Sequence, residues 1–84
     1  MRISIIIPAF NAQSTLAACL TACQTQKLPD GLRTEIIVVD DGSTDQTVEL
    51  AQAAGVRVIQ HSAQRGAAAA RNSGLAAAQG HIIL

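Results

Sequence analysis

Two adjacent aspartates close an apolar run, Ile36-Ile37-Val38-Val39-Asp40-Asp41, with Gly42 and Ser43 behind them. Neighbouring carboxylates repel each other, which destabilises the chain unless donors or a ligand satisfy them. At the carboxyl end of a strand such a group can accept hydrogen bonds from ribose hydroxyls or from a base N–H. The alternative is structural, with Asp40 accepting backbone N–H groups to hold the loop and Asp41 capping it. Arg71 is a lone arginine in an alanine-rich segment. Its guanidinium is available to a diphosphate or a carboxylate, or to an ion pair with Asp40 or Asp41 that only holds the loop. Arg65, beside Gly66, is placed either to reach a phosphate or to stay solvated. Asn11 suits a helix cap as well as a ligand contact. His61 and His81 read as ordinary loop and strand-edge residues.

Other chemistries fail on spacing. No Gly-x-Gly-x-x-Gly follows the first apolar run, so a nicotinamide or flavin dinucleotide fold is not expected. No Gly-x-x-x-x-Gly-Lys-Ser/Thr exists, which excludes a P-loop. A phospho-receiver domain would carry its acidic pair after the first strand, whereas this pair follows the second. Cys19 and Cys23 lie four apart on a predicted helix, beside Leu16 and Leu20. That spacing predicts buried packing for both thiols rather than a disulfide or a metal pair.

The elements that must position these residues alternate. Arg2 to Ile7 is isoleucine-rich and ends at Pro8, which suits a buried strand followed by a break. From about Ala12 to Thr25, Leu16, Cys19, Leu20 and Cys23 recur at i, i+3, i+4 and i+7, one face of a helix. Leu28-Pro29-Asp30-Gly31 reads as a turn, and Glu35 to Val39 as a second buried strand. A second helix is predicted after Gly42, where Ser43 and Gln46 match a capping box and Gly55 stands where a C-terminal cap glycine belongs. Val56 to Gln60 is a third strand, Gly66 to Gln79 a helix closed by Gly80, and His81 to Leu84 the start of a fourth strand. The order β-α-β-α-β-α-β predicts a Rossmann-like, three-layer αβα arrangement on a mostly parallel sheet. Ligands bind such sheets outside the carboxyl ends of the strands. Pro8 to Asn11, Asp40 to Ser43 and His61 to Gly66 all fall there.

The chain has 84 residues, one small domain, and a complete fold of that length would bury only about 60–65% of its unfolded surface. Six basic and six acidic residues cancel, so no overall field draws it to nucleic acid or an anionic membrane. A hydrophobic content of 49% excludes a disordered tail. The run Ser4 to Pro8 is too short to span a bilayer and has no cleavage site behind it, so the expected compartment is the cytoplasm. Residues 1–84 read as a single α/β unit cut short in its fourth strand. Its open sheet edge is expected to be covered by a partner chain or by further sequence.

Three segments together carry a resemblance. Ser4-Ile5-Ile6-Ile7-Pro8-Ala9-Phe10-Asn11, Ile37-Val38-Val39-Asp40-Asp41-Gly42-Ser43-Thr44-Asp45 and Ala70-Arg71-Asn72-Ser73-Gly74 resemble, in order and spacing, successive signatures of family 2 glycosyltransferases of the GT-A fold. By position, Pro8, Ala9 and Phe10 resemble the loop lining the nucleobase pocket. Asp41 resembles the aspartate that contacts the base, and Asp40 its structural or ribose-facing neighbour. Arg71 resembles the arginine near the donor.

The resemblance implies an enzyme that transfers a sugar from a UDP-, GDP- or dTDP-linked donor to a polysaccharide, cell-wall or lipid-linked acceptor, usually with inversion and a divalent magnesium or manganese ion. It implies an Asp-x-Asp motif for that metal within a few residues after Leu84, with the acceptor region and catalytic base later. Residues 1–84 are therefore expected to be the nucleotide-sugar-binding half of a truncated GT-A domain, inactive alone because the metal supplies the main electrostatic stabilisation. For a longer protein the expected location is the cytoplasm or the periphery of the membrane's inner face. Two other readings are a nucleotide-binding module without turnover and a module that self-associates through its sheet edge.

Overall fold

The computed structural model describes residues 2–24, 33–78 and 81–83. Strands and helices alternate as β1 (Arg2–Ala9), α1 (Gln13–Gln24), β2 (Arg33–Asp40), α2 (Thr47–Ala53), β3 (Arg57–Gln60), α3 (Ala67–Ala77) and β4 (His81–Ile83). The sheet runs β3-β2-β1-β4 and every pairing is parallel. Parallel strands need crossovers, and the three helices supply them.

The β2 strand explains the layering. Its side chains alternate between faces. Ile36 and Val38 enter one core with Ala9, Leu16, Leu20 and Ala51, beneath α1 and α2. Ile37 and Val39 enter the other with Ile6 and Ala70, beneath α3. Ile37, Val38 and Val39 are wholly buried, and burial of side chains this size stabilises by roughly 1.5–3 kcal/mol each. The three-layer arrangement predicted from the sequence is therefore present, with two helices on one face and one on the other.

Several boundaries differ from the predicted ones. The β1 strand runs through Pro8 to Ala9 instead of breaking, with Pro8 opposite Val39 and Ala9 opposite Asp40. The Ala9 carbonyl accepts the Asp41 N–H at 2.8 Å, so Ala9 faces β2. Backbone groups alternate sides along a strand, which turns the missing donor of Pro8 away from β2 and leaves the β1–β2 ladder intact. The β2 strand is longer than predicted and reaches Asp40, while β3 begins one residue later, at Arg57.

The buried stripe of α1 is narrower than its sequence pattern. Leu16 and Leu20 are buried and Cys23 packs against them, but Cys19 is exposed on the flank. The prediction that both thiols pack inside therefore holds for Cys23 only. Burial, followed by the adjacent Cys19, pushes the Cys23 thiol up. The capping box predicted for Ser43 and Gln46 does not form. Thr47 opens α2, Gln46 is its cap without a side-chain bond, and the Asp45 carboxylate accepts the Thr47 N–H at 2.9 Å. Gly55 does adopt the left-handed conformation that ends α2, at φ +77°.

The α3 helix begins at Ala67, after Gly66, and Ala78 is already extended. Arg57 holds its far end, donating from Nη1 to the Ala77 carbonyl at 3.1 Å beside Glu35. The turn predicted at Leu28–Gly31 and the closing Gly80 lie outside the described residues. Among the described residues no helix is long and apolar enough to cross a membrane.

Candidate functional site

The loops after β1 and β2 are laced together at the carboxyl end of the sheet. Asn11 donates its N–H to Ser43 Oγ at 2.8 Å and accepts the Thr44 N–H on Oδ1 at 2.9 Å. Ala12 N–H donates to Thr47 Oγ1 and Gln13 N–H to Asp45 Oδ2, so side chains of the second loop and the start of α2 satisfy donors at the start of α1. Gln13 Oε1 returns a bond from the Gln46 N–H. Asn11 sits at φ +49°. Asn11 is thus a tie between the two loops rather than the cap of α1, whose helical hydrogen bonds begin at Ala12.

Asp41 organises the third loop. Its Oδ1 lies 2.9 Å from His61 Nδ1 and accepts the Arg65 N–H at 2.9 Å, while Oδ2 accepts the Gly66 N–H at 2.8 Å. The His61 contact, followed by the Arg65 N–H, holds the Asp41 carboxyl below the usual aspartate value against the opposing effect of burial. Asp40 is also buried. Its Oδ2 accepts the Ser43 N–H at 3.2 Å, and its Oδ1 has no hydrogen-bond partner among the described residues. A buried acceptor left unmatched is destabilising by about 1–3 kcal/mol.

A cleft of about 230 Å³ opens between the loops, lined by Pro8, Ala9, Phe10, Asp41, Gln64, Ala67 and Ala70. Of the residues singled out in the sequence, Pro8, Ala9, Phe10 and Asp41 converge there. Asp40 is the buried last residue of β2 and Arg71 is exposed one position beyond Ala70; neither lines the cleft. Phe10 is 44% exposed, an apolar ring at the mouth.

Sequence reasoning missed Gln64, Ala67 and the part played by His61, which is buried and bridges Asp41 to Ser73 Oγ, 2.8 Å from its Nε2. For His61 the deciding feature is strand register, which only the structure gives. Asp40 pairs with Gln60, so the residues that follow, Asp41 and His61, must be neighbours. The ring of His81 lies outside what the structure describes.

The described residues do not fit the divalent ion that the resemblance implies. Among them no group of three or more His, Cys, Asp or Glu side chains converges to hold a metal. Asp41 is already engaged by three protein donors.

Comparison with known proteins agrees with this geometry. Glycosyl transferase family 2 matches residues 4–84. The chain is 38% identical over 86 aligned residues to the uncharacterized glycosyltransferase EpsJ of Bacillus subtilis, covering 96% of this chain and 24% of EpsJ. Residues 1–349 of S. aureus TarS superpose with a TM-score of 0.86 at 30% identity, covering 95% of this chain and 25% of that one. Glucosyl-3-phosphoglycerate synthase of Mycobacterium tuberculosis, in complex with Mn2+, UDP and glucosyl-3-phosphoglycerate, superposes at 0.79 with 35% identity, covering 94% and 30%. The chain thus spans about a quarter of EpsJ and of TarS residues 1–349, and somewhat under a third of the synthase. Its parallel strands and flanking helices are those of the GT-A fold. The chain belongs to glycosyl transferase family 2.

Proposed function

We propose that residues 1–84 form the nucleotide-sugar-binding half of a GT-A domain, serving a glycosyltransferase that moves a sugar from a nucleotide diphosphate to an acceptor. The observation that carries this reading is the cleft at the carboxyl end of the sheet, lined by both an apolar ring and an anchored carboxylate. At about 230 Å³ it is smaller than the roughly 300–1,000 Å³ of whole-ligand sites, and it suits the base and ribose rather than the entire donor.

Each residue then has a role set by its chemistry. Phe10, with Pro8 and Ala9, is the apolar wall for the base, and stacking on such a ring contributes about 1–3 kcal/mol. Asp41 keeps acceptor capacity on Oδ2 for a base N–H, a group that uracil, thymine and guanine all present. Asp40, buried at the end of β2 and bonded to the Ser43 N–H, supports the ribose side of the cleft from behind without lining it. Arg71, exposed just past the cleft lining, meets the diphosphate. Two free cysteines accord with a cytoplasmic location, where nucleotide sugars are held. The UDP complex of the mycobacterial synthase supports the ligand class.

Calorimetric titration with UDP, GDP and dTDP, with and without manganese, tests the reading. Metal-independent binding that weakens in Phe10→Ala and disappears in Asp41→Ala is expected. Failure of all three nucleotides to bind would overturn it.

A further inference from the structure

His61 is 8% exposed, yet both ring nitrogens are engaged. Nδ1 lies 2.9 Å from Asp41 Oδ1, and Nε2 lies 2.8 Å from Ser73 Oγ on α3. Its main-chain N–H donates to the Asp40 carbonyl at 2.8 Å, which fixes the residue to the end of β2. The ring therefore spans from the strand end to the helix whose Ala67 and Ala70 line the cleft. The groups facing it are Asp41 from the loop after β2 and the Ser73 hydroxyl from α3; Asp41 carries the charge. The Asp40 carboxylate is turned to the Ser43 N–H, and Arg65 meets Asp41 through its backbone.

We propose that His61 is a positioning residue of the cleft, holding Asp41 against α3 and setting the affinity for a nucleotide diphosphate sugar through its own protonation. This rests on the donor-binding reading above. A serine hydroxyl both donates and accepts. With a neutral ring, Nδ1–H donates to Asp41 and Ser73 donates to Nε2. With a protonated ring, both nitrogens donate and the hydroxyl accepts. The bridge keeps its geometry in both states, and only the charge changes: the Asp41–His61 pair passes from one net negative charge to none. Asp41 lines the cleft, so that change is felt by the ligand. Both phosphates of a nucleotide diphosphate sugar are esterified and stay anionic across roughly pH 5 to 8, the range in which histidine titrates. The anion therefore favours the protonated ring, and by reciprocity its binding raises the proton affinity of His61.

Titration of the chain with UDP-glucose between about pH 5.5 and 8 tests this, alongside the His61→Gln variant, whose amide can bridge the same partners without titrating. Affinity of the wild type should rise at least about threefold toward acid, as expected for one added charge near an anion, and the variant should be flat. In the wild type alone, the NMR titration midpoint of the His61 ring should move up on saturation with UDP-glucose, which decides the matter even if the variant fails to fold. Wild-type binding that is independent of pH, with an unmoved ring midpoint, would overturn the role of His61. Absence of binding at every pH would instead sink the donor-binding reading on which it rests.

Discussion

Gly74 of α3 lies so close to Ile6 of β1 that a Cβ at Gly74 would stand 2.4 Å from Ile6 Cγ2. Ile6 is core, 2% exposed, and its branched carbon cannot swing aside. Alanine gains about 1 kcal/mol over glycine in a helix, but forced overpacking costs about 1–3 kcal/mol. Gly74→Ala is therefore expected to lower stability, with the thermal midpoint falling by some 4–8 °C per kcal/mol in a domain this small. A midpoint that rises would show that α3 can move off the sheet.

Gly42 meets two constraints at once. Its φ is +84°, and an added Cβ would lie 2.9 Å from the Gln64 nitrogen and 3.0 Å from the Ala63 carbonyl carbon, both backbone. Gly55 has a similar φ of +77° with nothing within 4 Å. Gly55→Ala should cost only the left-handed strain, about 1–2 kcal/mol. Gly42→Ala should cost more and should also displace the loop that carries Gln64, weakening UDP binding. Equal losses for the two variants in urea unfolding would contradict the close approach.

Asn11 holds the first two loops together from a left-handed backbone. Asn11→Asp keeps the acceptor for the Thr44 N–H and should be nearly neutral. Asn11→Ala loses that bond and strains the backbone, a destabilisation of about 1–3 kcal/mol. Asn11→Gly relieves the strain and should fall between the two. The order of the three chemical denaturation midpoints checks this assignment.

Strong acid, below the range in which histidine titrates, should destabilise the fold in a defined direction. Asp41 is held low chiefly by His61, and Asp45 chiefly by the Thr47 hydroxyl, both below the ordinary value of 3.8. The folded-state values lie beneath the unfolded ones, so ionisation stabilises the fold above the unfolded value. That contribution disappears as pH falls from about 3.8 through the lowered folded values. Urea midpoints should drop across this window, and Asp45→Asn should remove part of the drop. A variant with the full wild-type drop would exclude Asp45 as a source.

Arg71 should discriminate the two ends of the ligand. It is exposed and lies beyond the cleft lining. Arg71→Ala is expected to weaken UDP binding by roughly tenfold, in line with loss of a charge-assisted bond of about 1.5 kcal/mol or more, while leaving uridine unchanged. Equal loss for both ligands would place Arg71 in the base pocket or in the fold.

Much of the architecture is legible in short-range pattern. Four successive β-branched residues, Ile36 to Val39, specify a strand buried on both faces, and both cores contain them. Leu16, Leu20 and Cys23 specify the inner face of α1 because helical spacing is local. The same locality explains the errors. Ser43 and Gln46 have capping-box spacing, but Ser43 is taken by Asn11, 32 residues away. Cys19 has the right period, yet what lies above that flank of α1 cannot be read from its own turn.

The sequence by itself determined the alternation of strands and helices, and so the edge at which a ligand would sit. It also supplied the residues of the first two loops, Pro8 to Asn11 and Asp40 to Ser43. Only the tertiary structure decided which partners the carboxylates take. Asp41 is satisfied by His61, Arg65 and Gly66, which are 20, 24 and 25 residues away, while Asp40 has one oxygen unmatched among the described residues. Periodicity within an element records which face is apolar. It carries no information on the register that brings the ends of β2 and β3 side by side, and that register turns a loop histidine into a bridge between Asp41 and α3.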